Sequence, residues 1–437
     1  MRRFYLVSLG CPKNAVDSEA MRGLLEAAGW RAVAQPEQAD LLIVNTCGFI
    51  EPAREESYET LSKLAQAKGS AQALLAAGCL AQRYSTEIQE AIPAVDGTLG
   101  TREWSDIVEC AEQLILRMPR PKARALGGSS VVATMRRSVS GPSAYLKIVD
   151  GCSAPCAFCA IPLIKGPQRS KPRAAILAEA RQLVAQGVRE IILIGQDTTA
   201  YGHDFGERDA LPSLIEGILE AEPTLRWLRL MYAYPQHVTS PLIATLAGHT
   251  HICHYVDMPL QHAHPATLLR MHRSPDVEGV RNLIAELRRA MPDVALRTAF
   301  IVGYPGETEE EFDALLAFLA EIRFDKVGVF IYSPEEDTVA AELSNQVPAE
   351  VAQSRYARAM ALQQSISLER NREQLGRILE VLIEGADQQI SVGRSYRDAP
   401  EIDGYVLMPG EWPCGRIVSA SIEGATEYDL LGQVLTG

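Results

Sequence analysis

Apolar runs bounded by turn residues alternate with amphipathic stretches along most of this chain. Near the start, residues 4–10, 41–46 and 74–78 are short apolar runs, the pattern of buried strands. Helical patterns at 18–28, 52–67 and 85–91 separate them. Strand–helix alternation predicts a parallel sheet with right-handed crossovers. The Gly/Ser-bearing segments 127–130 and 138–143 predict a linker and a domain entry. Beyond them, six strands are expected at 145–149, 190–194, 227–231, 255–258, 296–301 and 327–332. Helices are expected at 173–186, 211–221, 241–246, 266–290, 309–322 and 349–374. Six units are too few for a closed eight-stranded barrel and fit an open partial barrel with a wide lateral mouth. The period then changes. Five short strands, at 378–385, 390–394, 404–408, 415–421 and 429–435, predict a small β-barrel of the oligonucleotide-binding type. The expected architecture is multidomain α/β: an N-terminal parallel α/β sheet domain (1–125), an open (β/α)6 partial barrel (138–370) and a five-stranded C-terminal barrel (371–437).

Composition narrows the function classes. The 437 residues are 47% hydrophobic and 22% charged, so sizeable cores need no staples. A formal net charge of -13 argues against a surface built for phosphate backbones and favours a basic partner. No apolar run is long enough for a membrane span. The short run after Arg2 and Arg3 ends in Pro12-Lys13-Asn14 and is too short for a signal h-region. Nine cysteines, six of them in two organised triplets, fit metal chemistry in a reducing cytoplasm better than disulfides.

The first triplet is Cys152, Cys156 and Cys159, spaced C-x3-C-x2-C in Asp150 to Pro162. Three thiolates always leave one over in a disulfide framework. A structural zinc wants four ligands, and no fourth follows at local spacing. Three thiolates suit a four-iron, four-sulfur cluster with one open iron, which a molecule carrying an amine and a carboxylate can chelate. S-adenosylmethionine (SAM) is such a molecule, and an electron can break its sulfonium bond to give a radical. The spacing resembles the radical-SAM signature; a zinc knuckle is the alternative.

The second triplet is dispersed. Cys11, Cys47 and Cys79 lie 36 and 32 residues apart, each closing one of the first three apolar runs. In a parallel sheet those ends share one edge, where open α/β sheets place ligands. A second cluster fits; three unrelated core cysteines are the alternative. Pro12-Lys13-Asn14 and Asn45-Thr46 either shape loops around it or simply end strands.

Other strand ends supply polar groups at the mouth of the partial barrel. Gln196 and Asp197 follow the second strand and suit the amine or ribose of SAM. Arg229 and Tyr232 close the third, Gln261 and His262 the fourth. Arg297 offers bidentate geometry for a carboxylate. Gly303 and Glu307 sit in a loop whose glycines permit close backbone approach. Capping or ion-pair roles are the alternative for each. The segment from His249 to His264 is His-rich, but its pattern reads as strand and flanking loop rather than zinc site. Cys110, Cys253 and Cys414 stand alone and read as packing residues. From Arg370 to the end there are six arginines, no lysine and eleven carboxylates, and no aromatic ladder for stacking bases. RNA is therefore an unfavoured partner for this barrel, and a basic protein a favoured one.

Taken together, the chain resembles the methylthiotransferases, over essentially its whole length. The marks are Gly10-Cys11-Pro12-Lys13-Asn14 with Val16-Asp17-Ser18-Glu19, and Asn45-Thr46-Cys47-Gly48-Phe49-Ile50. Further ones are Gly195-Gln196-Asp197-Thr198-Thr199, Tyr332-Ser333-Pro334-Glu335-Glu336 and Asp398-Ala399-Pro400-Glu401-Ile402-Asp403-Gly404. The last three resemble members that modify an aspartate of small-subunit ribosomal protein twelve more than those that modify transfer RNA. The resemblance implies a C-terminal TRAM barrel, two 4Fe-4S clusters and SAM. It implies that SAM methylates a sulfur held at the N-terminal cluster and also supplies the radical that opens the aspartate β-carbon to the methylthio group. It implies an electron donor of the flavodoxin or ferredoxin kind and a sulfur donor. A transfer-RNA adenosine methylthiotransferase and a non-catalytic iron–sulfur or zinc scaffold on ribosomes are the rival readings. Two positions depart from the resemblance: Asp337, where Gly is usual, and Lys165, often Arg.

Overall fold

The structure is a computed structural model that describes residues 1–116, 137, 139 and 141–435. The linker expected at 127–130 and part of the entry at 138–143 lie outside the described residues. The first sheet contains β1 (Arg3–Ser8), β2 (Arg31–Ala32), β3 (Leu41–Thr46), β4 (Ala73–Gly78) and β5 (Gly97–Gly100). It is ordered β2-β1-β3-β4-β5 and all its pairings are parallel. Its helices are α1 (Pro12–Ala27), α2 (Glu51–Ala67), α3 (Cys79–Arg83), α4 (Ser85–Ala91) and α5 (Ile107–Leu116). Every residue of β3 and β4 is buried, as their unbroken apolar character requires when both faces are covered. Ile43 and Leu75 meet Met21 and Ile107 on one face; Val44 and Leu74 meet Leu61 and Ile88 on the other. The edge strands β2 and β5 escaped the sequence pattern: one has two residues, and the other reads Gly-Thr-Leu-Gly.

The second sheet begins with β6 (Ser143–Lys147), which leads into β7 (Val149–Asp150), paired antiparallel with β8 (Arg169–Ser170). The run expected at 145–149 is thus divided. The sheet continues through β9 (Glu190–Ile194), β10 (Trp227–Leu230), β11 (Ile252–Asp257), β12 (Ala295–Val302) and β13 (Lys326–Ile331). Its order is β13-β12-β11-β10-β9-β6, parallel throughout and open between β13 and β6, the expected six-stranded partial barrel. The connecting helices are α6 (Ile161–Lys165), α7 (Arg173–Ala185), α8 (Ala210–Ala221), α9 (Ser240–Gly248), α10 (Pro265–Arg270), α11 (Val277–Ala290), α12 (Glu309–Ile322) and α13 (Ala349–Arg372). The helix expected at 266–290 is therefore two. Pro275 has no N–H to continue a helix, and the Asp276 carboxylate starts the next one by accepting the Gly279 N–H at 2.7 Å.

The C-terminal strands β14 (Ile378–Asp387), β15 (Ile390–Ser395), β16 (Val406–Pro409), β17 (Ile417–Ala425) and β18 (Leu430–Val434) close into a barrel ordered β14-β15-β16-β18-β17. The two faces of the second sheet have different partners. Leu146, Leu193, Leu228 and Leu296 pack under the helices. Ile192, Trp227, Tyr255 and Ala295 face inward and meet Leu382 and Ala399 of the C-terminal segment and Val16 of α1. All three regions thus touch the inner face of the partial barrel.

Candidate active site

Cys11 caps α1 after β1, Cys47 follows β3, and Cys79 opens α3 directly after β4. Since β1, β3 and β4 are adjacent and parallel, the three thiols share one edge. Side-chain hydrogen bonds weld that edge. Asn14 Nδ2 donates to the carbonyls of Leu9 at 3.1 Å and Thr46 at 3.0 Å. Asn45 Nδ2 donates to the Asn14 carbonyl and to Ser18 Oγ, both at 2.8 Å. The Cys47 N–H donates to Ser57 Oγ at 3.0 Å. Gly10 has φ 86, and a Cβ there would stand 2.8 Å from Cys47 Cβ and 3.0 Å from its Sγ. The loops approach too closely for any other residue. Cys11 is exposed, whereas Cys47 and Cys79 are buried.

Cys152, Cys156 and Cys159 lie between β7 and α6, beside the mouth of the second sheet. Their loop is pinned on three sides: Cys152 N–H to Gly166 O at 3.1 Å, Ala157 N–H to Met271 O at 3.0 Å, and Ala340 N–H to Ala157 O at 2.9 Å. Arg273 is a site residue that the sequence pattern did not reveal. Its guanidinium donates to Cys156 Sγ at 3.6 Å and to Pro259 O at 3.0 Å, and lies 4.4 Å from the centre of the Tyr234 ring.

Burial pushes the Cys79 thiol up to about 12, against the field of Lys165, with Cys11 and Cys47 raising it further. Burial likewise pushes Cys159 to about 12, with Cys156 and Cys152 adding to it. Burial also raises Cys47 and Cys152. A bound iron would supply positive charge to such thiols, and thiolate is the ligand it would take. Among the described residues, no three His, Cys, Asp or Glu side chains stand close enough to hold a single metal ion. The fit to iron–sulfur clusters therefore rests on the donor chemistry. For SAM, Gln196 Oε1 is buried without a hydrogen-bond partner, an acceptor available to an amine.

Other strand-end residues have different work. Asp197 accepts from Thr199 Oγ1 at 2.6 Å, the Ala200 N–H at 3.2 Å and His237 Nδ1 at 2.7 Å, which orders its own loop. Arg229 is fully buried and joins Glu190 at 2.7 Å to the Tyr396 carbonyl of the C-terminal barrel at 2.7 Å. That makes it an interdomain strut. Arg297 pairs with Asp257 at 2.8 Å and Asp403 at 3.5 Å rather than presenting an open fork. Glu307 is likewise consumed internally, by His262 at 3.0 Å, Arg355 at 2.7 Å and the Gly303 N–H at 2.6 Å. Gly303 is needed for a different reason: at φ 71, its Cβ would meet Ala352 Cβ at 2.5 Å. His254 Nδ1 hydrogen-bonds Asp293 at 2.6 Å, a structural role for part of the His-rich segment.

Two contact sets fasten the first sheet over the second. Asp17 of α1 meets Lys147 at 2.5 Å and Lys165 at 3.3 Å, and both lysines also hold Asp150, at 2.9 and 3.2 Å. Burial alone would raise the Asp150 carboxyl, but Lys147 and Lys165 hold it well below the usual range. On the far side Glu335, after β13, binds Arg54 and Arg83, and accepts the Glu51 N–H at 3.1 Å. The Tyr84 hydroxyl reaches Glu336 at 3.2 Å. Asp337 has φ 60, the left-handed turn that glycine takes without strain. Lys13 is buried, its ammonium 3.0 Å from the centre of the Tyr232 ring.

Three family profiles match: an uncharacterised protein family, UPF0004, over residues 3–100; the radical SAM superfamily over 146–319; and the TRAM domain over 375–435. The chain is 49% identical to the ribosomal protein uS12 methylthiotransferase RimO of Chloroflexus aurantiacus, across 99% of this chain and 100% of that one. It is 46% identical to that of Heliobacterium modesticaldum, across 99% and 95%. In fold it is similar to the radical SAM methyltransferase TsrM of Kitasatospora setae, with TM-score 0.59 and 14% identity over 90% of this chain and 77% of that one. The cobalamin-dependent SAM radical enzyme OxsB aligns with TM-score 0.52 and 11% identity over 83% and 56%.

Proposed function

The chain belongs to the RimO family of radical-SAM methylthiotransferases, and from that premise we propose that it adds a methylthio group to the β-carbon of an aspartate in ribosomal protein uS12, using two 4Fe-4S clusters. The observation that carries this reading is the pair of three-thiol edges, one on each sheet, fastened together by Asp17, Lys147, Lys165 and Asp150. We take residues 1–125, 138–370 and 371–437 as the three domains that contribute to it.

Cys152, Cys156 and Cys159 would hold one cluster, Cys11, Cys47 and Cys79 the other, with Gln196 offering an acceptor to the amine of SAM. With these groups bound, the site is supplied with a radical able to take hydrogen from an unactivated carbon and with sulfur to place there. The β C–H of an aspartate is too weakly acidic for any side-chain base here, which is why a radical is required. The protein's own contribution is positioning. Loops welded by Asn14 and Asn45 fix the first edge, backbone bonds from Ala157 and to Ala157 fix the second, and Arg273 sets a cation beside Cys156. The two fastenings hold the first sheet over the second, which would align the two sets of thiols on one substrate.

The acidic C-terminal barrel favours a basic protein over transfer RNA. An electron donor of the flavodoxin or ferredoxin kind and a sulfur donor complete the reaction. No helix among the described residues is long and apolar enough to cross a membrane. The deciding experiment incubates reconstituted enzyme, SAM and reductant with uS12 and, separately, with transfer RNA, followed by mass spectrometry. A methylthio mass gain on uS12 is expected; gain on RNA alone overturns the reading.

A further inference from the structure

Lys13 is 6% exposed, and among the described residues no carboxylate lies in ion-pair reach of its ammonium. Four charged or ionisable groups act on it: Cys11 and Asp257 favour its charge, Lys165 and Arg297 oppose it. Of the two that favour it, Cys11 would be taken up as a cluster ligand and Asp257 is already paired. Asp257 is engaged by Arg297 at 2.8 Å and by the Tyr232 N–H at 3.1 Å. The nearby lysines Lys147 and Lys165 have carboxylates of their own, Asp17 and Asp150. Lys13 has only the face of Tyr232. A buried ammonium with an aromatic face and no carboxylate partner can take that carboxylate from a ligand.

The surroundings are built to hold it there. Tyr232 has φ 61, a conformation strained for a side-chain-bearing residue. It is kept so by its N–H on Asp257 and by its carbonyl, which accepts the Thr198 N–H at 3.1 Å. Lys13 stands on α1 two residues after Cys11, while Tyr232 follows β10 at the mouth of the second sheet. The ammonium therefore lies beside the Cys11 edge, over the mouth of the second sheet.

We propose that Lys13 binds the side-chain carboxylate of the target aspartate and so selects a carboxylate-bearing substrate. This rests on the aspartate reading above. The β-carbon is bonded directly to that carboxylate, so anchoring the one fixes the other to within a single bond. A nucleoside base offers no such anion, and the same lysine would discriminate against it. The methionyl end of SAM also carries a carboxylate. The substrate is favoured because Lys13 belongs to the Cys11 edge, not to the Cys152–Cys159 loop.

The test uses reconstituted full-length enzyme and a fluorescent peptide spanning the aspartate that mass spectrometry maps on uS12, beside its Asp-to-Asn version. Anisotropy gives peptide affinity; calorimetry gives SAM affinity. Wild type should bind the Asp peptide on the order of 10- to 100-fold more tightly than the Asn peptide. Lys13→Met should abolish that preference while leaving SAM affinity and iron content unchanged, and Lys13→Arg should restore most of it. Equal binding of both peptides by wild type overturns the proposal without recourse to any variant. Weakened SAM binding with the peptide preference intact assigns the carboxylate to SAM and also overturns it. If wild type modifies no uS12 aspartate at all, the aspartate reading itself has failed. If it does, and Lys13→Met keeps the preference, only the role of Lys13 has failed.

Discussion

Arg394 of the C-terminal barrel closes on Glu190 of the second sheet at 2.6 Å, and neither side chain reaches solvent. Arg229 takes the other oxygen of the same carboxylate at 2.7 Å. Burial alone would raise the Glu190 carboxyl, but Arg394 and Arg229 bring it down to about 2 from an ordinary 4.5. A depressed carboxyl stabilises the fold above its unfolded value and loses that contribution as pH falls through the folded one. Acid should therefore release the C-terminal barrel as pH drops from 4.5 towards 2. Glu190→Gln leaves buried Arg229 without a counter-charge and Arg394 with Glu384 alone, and should cost about 3–5 kcal/mol at neutral pH. Chemical denaturation at pH 7 and an acid titration followed by tryptophan fluorescence would measure both; an unchanged acid transition in the variant refutes the assignment.

Gly10 and Gly29 share φ 86, but their surroundings differ. A Cβ at Gly10 collides with Cys47, whereas one at Gly29 meets nothing within 4 Å. Gly29→Ala should cost about 1 kcal/mol of backbone strain and leave iron content intact. Gly10→Ala should displace Cys47 and lose the iron of the first edge. Iron and sulfide analysis of the two variants separates strain from site damage.

The two thiol edges should be separable by product. Cys152→Ala should abolish 5'-deoxyadenosine formation. Cys79→Ala should retain it while abolishing methylthio transfer. Chromatography of the nucleoside and mass spectrometry of uS12 read the two outcomes, and robust SAM cleavage by Cys152→Ala removes the assignment of that edge.

Glu335 fastens the first sheet to the loop after β13 through Arg54, Arg83 and the Glu51 N–H, four residues beyond Cys47. Glu335→Gln weakens that fastening but touches no cysteine. Methylthio transfer should fall on the order of 10- to 100-fold while 5'-deoxyadenosine formation stays near wild type, since only the alignment of the two edges is disturbed. A parallel loss of both products would show that Glu335 serves general stability.

Periodicity and spacing alone located the six cysteines at strand ends, the six-stranded partial barrel and the five-stranded closing barrel. A buried strand must be apolar, and a parallel sheet must gather its strand ends, so these features are written locally. The partners of charged residues are not. Arg229 and Arg297 lie on strands and Glu307 in the loop after one, and all look available, yet each is satisfied by a residue distant in sequence: Tyr396, Asp403 and Arg355. Lys13 shows the converse, because among turn residues it reads as a strand terminator. Only the packing of α1 against the mouth of the second sheet buries its ammonium on Tyr232 with no carboxylate paired to it. The difference is physical: burial of apolar surface follows from each segment's own pattern, whereas the neutralisation of a charge depends on which segments the fold brings together.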